Sequence, residues 1–320
     1  MSLAALRSAS KNLNEKFQQS QQSQQSYSRT VDERIWKPTF DREKGTGTAT
    51  IRFLPSCPSE IENYLPQVKL FKYNFTHAGK WYIEKSPRTI NKPDPVFELN
   101  GRLYNSGVES DKEISKKLKR DIVYYSNVLV LKDPANKENE GKVFIYEYGP
   151  AIANKIHEAQ FPSAEFEGED PPEPLNPFDI DSGADFIIRM IGKEIVGKDG
   201  KKVVVPNYEK STFKETRSPL CDGKDDKIEE VWNKCYPLQP FIGEDVFESY
   251  DTLSAKLVKV FGHVIGSGVP VLTGKSVEQS FSNDTQVQNS RQPPTTPSLP
   301  ASSDDGDSDL DFLNSLDDWK

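Results

Sequence analysis

At 320 residues with 35% hydrophobic positions and a mean hydropathy of -0.68, the chain has room for one large folded domain but too little apolar content to pack all of itself. Three cysteines (Cys57, Cys221, Cys235) and three histidines (His77, His157, His263) are too few and too scattered for a disulfide framework or a CxxC-type zinc site, which fits a reducing cytoplasm. The net charge of -8 argues against a nucleic-acid partner only until it is divided along the chain: residues 276–320 hold nine acids against Arg291 and Lys320, whereas positions 67–92 carry six bases against Glu84 alone.

From the N-terminus, residues 2–17 have Leu3, Leu6 and Leu13 on one side of a short amphipathic helix, with Arg7, Lys11 and Lys16 around it. Alone it is too short to be stable. Residues 18–28 (QQSQQSQQSYS) bury nothing and read as a tether. No signal-peptide apolar region precedes them, and no apolar run approaches the roughly 18 residues of a membrane span, so a soluble, non-exported protein is expected. From about Trp36 to Ile265 the pattern is that of a folded domain built mostly of strands. Thr48–Leu54 alternates Ala49, Ile51 and Phe53 with polar residues, as a half-buried strand does. Three hairpins follow: Val68–Phe75 with Lys80–Glu84, Tyr124–Leu131 with Val143–Tyr148, and Phe186–Val196 with Lys202–Val205 across Asp199-Gly200. Many short strands at close spacing predict a mainly β fold, a small barrel or sandwich, with peripheral helices. The helices are expected over Ala151–Ala159 behind Pro150, over Asp226–Cys235, and after Asp251, where Leu253, Leu257, Val260, Phe261 and Val264 recur at helical spacing and Gly266 supplies a stop. Ser163–Asp185, with eight acids, no bases and several prolines, reads as an exposed loop. Beyond Lys275 the Ser/Pro/Gln-rich composition has no means of burying apolar surface and reads as disorder. It ends in an acidic, apolar tip: Asp309, Leu310, Asp311, Phe312, Leu313, Leu316, Asp317, Asp318 and Trp319.

The chemistry-bearing feature is the interleaving of bases and aromatics on predicted strands: Lys69, Phe71, Lys72, Tyr73 and Phe75, then Lys80, Trp81 and Tyr82, then Lys119 and Arg120 before Tyr124 and Tyr125. Single-stranded DNA requires that combination, because its phosphates need a positive groove and its unpaired bases stack on aromatic rings. The plain alternative is that the rings are core and the bases solvate an outer face. Pattern leaves both open, and for Tyr146, on one strand face with Phe144 and Tyr148, core is the commoner role of such a stripe. Lys116–Arg120 fits a phosphate-binding loop and an ordinary helix end equally. No P-loop, GxGxxG, HExxH or GxSxG pattern is present, and paired acids such as Glu229-Glu230 are most simply helix-surface charges, so no enzyme is expected. A scaffold with an acidic tail and no DNA affinity, or a nuclease assembling dispersed carboxylates around magnesium, would be distinguished by gel shift or magnesium-dependent shortening of an oligo-dT strand.

Three strings carry a resemblance to a known family: Ala49-Thr50-Ile51-Arg52-Phe53-Leu54-Pro55, Gly79-Lys80-Trp81-Tyr82-Ile83-Glu84, and Lys132-Asp133-Pro134-Ala135 running on to Glu138-Asn139-Glu140-Gly141-Lys142-Val143-Phe144. Together they resemble the helix-destabilising, single-stranded-DNA-binding proteins of the T-even bacteriophages, with similarity over most of residues 45–266. The resemblance implies an OB-fold core with a small hairpin subdomain (29–270), a basic N-terminal arm and linker for head-to-tail cooperativity (1–28), and a disordered acidic tail (271–320). It implies DNA contacts at Arg52, Tyr104, Lys119, Arg120, Tyr124, Tyr125, Tyr146 and Tyr208, with Asp121 standing where the family has another base; the interleaved runs add Lys69, Lys72, Tyr73, Lys80 and Trp81 as candidates. Leu6, Arg7, Ser8, Ser10 and Lys11 are similar to the family's cooperativity motif, with fewer bases. The partners implied are the strand itself, a second copy on it, and phage polymerase, helicase-loading and recombination proteins at the tail tip, in the cytoplasm of the infected host. The family also holds a structural zinc through one histidine and three cysteines. Here Tyr73, Ser86, Asp94 and Phe97 stand in those places, so a zinc-free member is expected, with its subdomain held by packing of Trp81, Tyr82 and Phe97.

Overall fold

A computed structural model describes residues 32–63, 65–164, 170–196, 202–265 and 268–270. The chain divides into two units, Met1–Gly274 and Lys275–Lys320. The second unit and the expected N-terminal helix and tether lie outside the described residues.

Among the described residues, nine strands form one sheet. In chain order they are β1 (Ile35–Trp36), β2 (Thr46–Phe53), β3 (Gln67–His77), β4 (Lys80–Lys85), β5 (Asp121–Lys132), β6 (Val143–Tyr148), β7 (Phe186–Val196), β8 (Lys202–Asn207) and β9 (Thr212–Phe213). A small separate pair joins β10 (Val264–Ile265) to β11 (Val269–Pro270). The main path runs β1-β6-β5-β2-β7-β8, with β3 bonded to β5 and β4, and β9 to β7. The β5 strand is central because its 12 residues serve three partners. β6 lies on one edge, while β3 takes the first half and β2 the second half of the other. The fold is therefore mainly β, and the three predicted hairpins form. At the first, Ala78 and Gly79 both have positive φ, 49° and 77°, the geometry that lets a two-residue turn follow the right-handed twist of its strands.

Five helices flank the sheet among the described residues: α1 (Pro95–Tyr104), α2 (Glu109–Lys117), α3 (Pro150–Gln160), α4 (Asp225–Trp232) and α5 (Tyr250–Phe261). Leu253, Leu257 and Val260 of α5 are buried, as their spacing predicts, but its ends differ. Ser249, not Asp251, caps the start by accepting from the Thr252 amide, and Gly262, not Gly266, ends it at φ 82°. A serine hydroxyl one position before the first turn reaches the orphan amides that an aspartate inside the turn cannot. The α1 helix was not expected, although Asp94 followed by Pro95 is a start signal of the same kind.

Both sheet faces are covered. Residues directly opposite in an antiparallel pair share a face, so the register assigns Gln67, Lys69, Phe71, Ile122, Tyr124, Ser126, Tyr146, Tyr148, Phe53 and Ile51 to one side. Much of this first face is the main core, where Phe53, Val128, Tyr146, Tyr148 and Phe186 meet Trp36 and the buried side of α3. The second face carries Val68, Leu70, Val123, Tyr125 and Ile145, which pack under Leu238, Tyr236 and Phe241. Asn127 fastens that cover through both ends of its amide, bonding Tyr236 N and O at 2.9 and 2.8 Å, and the Glu60 carboxylate accepts from Leu238 and Gln239, each at 2.8 Å.

Ser163–Asp185 is not wholly an exposed loop. Of its described part, Phe178 and Ala184 are buried, because Phe178 joins the main core beside Phe53. The end of β2 is likewise buried on both sides instead of one.

A candidate nucleic-acid interface

β3 changes its allegiance halfway along. Val68 and Leu70 are buried on the second face, whereas Tyr73 and Phe75 are buried on the first, against α1 and α5. Two separate cores therefore lie on the first face, and the strip between them is only half-buried, with Tyr124 packed at the edge of the main core. Along that strip Tyr124 lies against Tyr148, ring centroids 5.9 Å apart. Lys69, opposite Tyr124 in the register, holds its Nζ 4.8 Å from the Phe71 ring centre. Arg120 covers the same ring at 4.2 Å and that of Phe97 at 5.1 Å, and Arg88 sits 4.8 Å from Phe97. Apart from Tyr148, which is buried in the main core, all of these side chains are half-buried.

The result is a strip, here called the trough, in which cations and rings alternate. Burial, and then the neighbouring Arg120, lower the pKa of Lys69. Burial lowers that of Arg120 as well, opposed by Tyr73 and Asp94 and reinforced by Arg88. Partly desolvated like charges held close together are relieved by an anion, and the rings among them offer flat faces. A flexible polyanion bearing planar bases matches both features.

The structure thus brings together three of the expected contacts, Lys69, Arg120 and Tyr124, and adds Phe71, Arg88 and Phe97. Phe71 was legible, since alternation puts it on the side of Lys69. Arg88 comes from the connection between β4 and α1, where no periodicity applies, and Phe97 from the first turn of α1, a helix that was not expected. Lys72 and Trp81 belong to the other face of the β3–β4 hairpin. Trp81 is 65% exposed there, and Lys72 lies 3.8 Å from Glu147. Tyr125, on that second face of the sheet, is buried against Phe241 and donates to Glu147 at 2.9 Å. Lys80, at the hairpin tip, donates to the Lys259 carbonyl in the last turn of α5. Tyr104 at the end of α1 and Lys119 are exposed, and Tyr208 is half-buried against the main core. Tyr73 and Tyr146 are enclosed, 2% and 1% exposed, and burial pushes both phenols well above their ordinary range.

Arg52 is also enclosed, on the second face. Its Nη2 donates to the carbonyls of Asp179 and Ser218 at 3.1 and 2.8 Å, and Asp185 lies 3.8 Å from Nη1. Gly183 permits this approach, because a Cβ there would stand 2.6 Å from Nη2. Arg52→Met is expected to lower stability by about 2 kcal/mol, since it leaves two part-buried carbonyls without their donor, while Asp185 keeps its pair with Lys214 at 2.8 Å. Urea unfolding measures this, and a midpoint within error of wild type would remove the clamp.

A family model described as "gp32 DNA binding protein like" matches residues 45–261. The chain is similar to the single-stranded DNA-binding protein of Enterobacteria phage T4, 32% identical over 253 residues that span 78% of this chain and 77% of that protein. It is similar to its counterpart in Enterobacteria phage T2 at the same identity, over 78% and 76% of the two chains.

Proposed function

From the premise that this chain belongs to the gp32-like DNA-binding protein family, a binding family and not a catalytic one, we propose that it binds single-stranded DNA without sequence preference, along the trough between the two first-face cores. The observation that carries the reading is the alternation of Lys69, Phe71, Arg120, Phe97 and Arg88 beside Tyr124. Phosphates follow the cations and bases meet the rings, and neither contact reads a base edge. In this reading the sheet is the family's OB-type core, and the β3–β4 hairpin with α1, α2 and α5 is its smaller subdomain. Coating of exposed strands then serves phage replication, recombination and repair in the cytoplasm of the infected bacterium.

A salt-titrated isotherm on oligo-dT tests the proposal. Affinity should fall steeply, with a log-log slope of about -0.7 for each phosphate neutralised. Salt-independent binding, or a preference for duplex, removes the trough as a DNA site.

The tail supplies regulation. Residues 276–320 carry nine acids and two bases, a tethered polyanion that competes with DNA for the same field. Deleting them is expected to tighten binding at low salt, with the gain shrinking as charges are screened over about 8 Å near physiological ionic strength. Replacing Leu310, Phe312, Leu313 and Trp319 with serine keeps the charge. That variant should bind DNA as wild type does but lose the replication proteins in a pull-down. A truncated protein that binds no better at low salt refutes the competition, and a serine variant that still captures those proteins refutes the apolar handle.

A further inference from the structure

The zinc implied by the family resemblance does not fit the residues present. Zinc takes thiolate, imidazole or carboxylate ligands, and of Tyr73, Ser86, Asp94 and Phe97 only Asp94 supplies one. The Asp94 carboxylate, 1% exposed, is already committed: Oδ1 accepts from the amides of Val96 and Phe97 at 2.9 and 3.2 Å, and Oδ2 accepts from the Ser86 hydroxyl. Ser86, just beyond β4, donates its own amide to the Phe71 carbonyl at 2.8 Å. One carboxylate therefore ties the end of β4 to the first turn of α1, and through Ser86 to β3. A buried charge is tolerable there because it receives three hydrogen bonds, two from a helix N-terminus.

We infer that Asp94 replaces the metal as the cross-link of this subdomain and, by fixing Phe97 beside Phe71, positions the Arg120 guanidinium for a phosphate in the trough. The positioning half rests on the proposed reading of the trough, whereas the cross-linking half does not. The geometry supports it directly. Phe97 occupies the turn that Asp94 caps, and its ring and that of Phe71 are the two surfaces on which Arg120 lies. Asp94 also lies near enough to Arg120 to favour its charged form.

The test uses the full chain with oligo-dT as probe. Asp94→Ala should bind roughly tenfold more weakly at low salt, with a salt slope flatter by about 0.7, one phosphate contact. Asp94→Asn, whose Oδ1 still caps while its Nδ2 donates to the Ser86 hydroxyl oxygen in place of accepting from it, should keep the wild-type slope. Phe97→Leu retains apolar volume without the ring and should reproduce the flatter slope while melting near wild type, so the result does not hinge on Asp94→Ala folding well. Amide exchange at Val96 and Phe97 reads the cross-link without DNA, and should accelerate in Asp94→Ala but not in Asp94→Asn. Wild-type slopes in both Asp94→Ala and Phe97→Leu overturn the positioning role. Unchanged exchange in Asp94→Ala, or one zinc per native chain by elemental analysis whose removal accelerates exchange there, overturns the cross-link. A wild-type protein with no affinity for the strand removes the trough reading and the positioning half with it, leaving exchange to decide the cross-link.

Discussion

Arg120→Glu is expected to weaken binding of a short oligo-dT strand by about 100-fold at low salt, with a flatter salt slope. The estimate combines a lost charge-assisted phosphate contact, about 1.5 to 3 kcal/mol, with repulsion from the new carboxylate. Arg120 is the centre of the trough, in contact with both Phe71 and Phe97, so one substitution alters charge and ring surface together. Lys69→Glu should act in the same direction. Lys137→Glu, in the exposed turn between β5 and β6, changes the net charge equally and should cost only a few-fold, through the general field. Equal losses at Arg120 and Lys137, with both variants folded, would mean that binding follows overall charge and that the trough is not the site. Arg120→Gln separates the two contributions, because it removes the contact without adding a repelling charge.

Removal of residues 1–17 is expected to leave affinity for an oligonucleotide of one site nearly intact while reducing apparent affinity for a long strand by about two orders of magnitude or more. The segment carries Leu6, Arg7, Ser8, Ser10 and Lys11 ahead of a Gln/Ser-rich stretch, the residues that the family resemblance proposes for docking on a neighbouring copy. Neighbours joined on one strand bind as linked modules, and gains of 10² to 10⁴ arise from effective concentration alone. Electron microscopy of partly covered long strands distinguishes the outcomes. The intact protein should form contiguous tracts and the truncated one scattered molecules. Contiguous tracts from the truncated protein would place cooperativity elsewhere.

The strands were legible because their signals are local. Alternation of Ala49, Ile51 and Phe53 located β2, and the turn residues around Gly79 located the first hairpin. Helix ends were less so, since a cap depends on which hydroxyl or glycine the chain reaches first, as Ser249 and Gly262 illustrate. The acidic segment before Asp185 misled through its composition, which outweighed Phe178, a single residue that finds the core. The aromatic and basic runs left core and nucleic-acid contact both open, and gave no sign of which members of each run share a surface.

The sequence by itself determined the mainly β class, the hairpins, the segregation of charge and the family, since each is written in residues close together or in matched strings. Only the tertiary structure decided which rings are core and which line the trough. Along β3, Val68 and Leu70 point into one core and Tyr73 and Phe75 into another on the opposite face, and strict alternation carries no mark of where that exchange occurs. The physical reason is that a strand residue's burial depends on what packs over its face. At Lys69 and Phe71 that is settled by segments remote in sequence: β5 with Arg120, the start of α1 with Phe97, and the gap left between two cores.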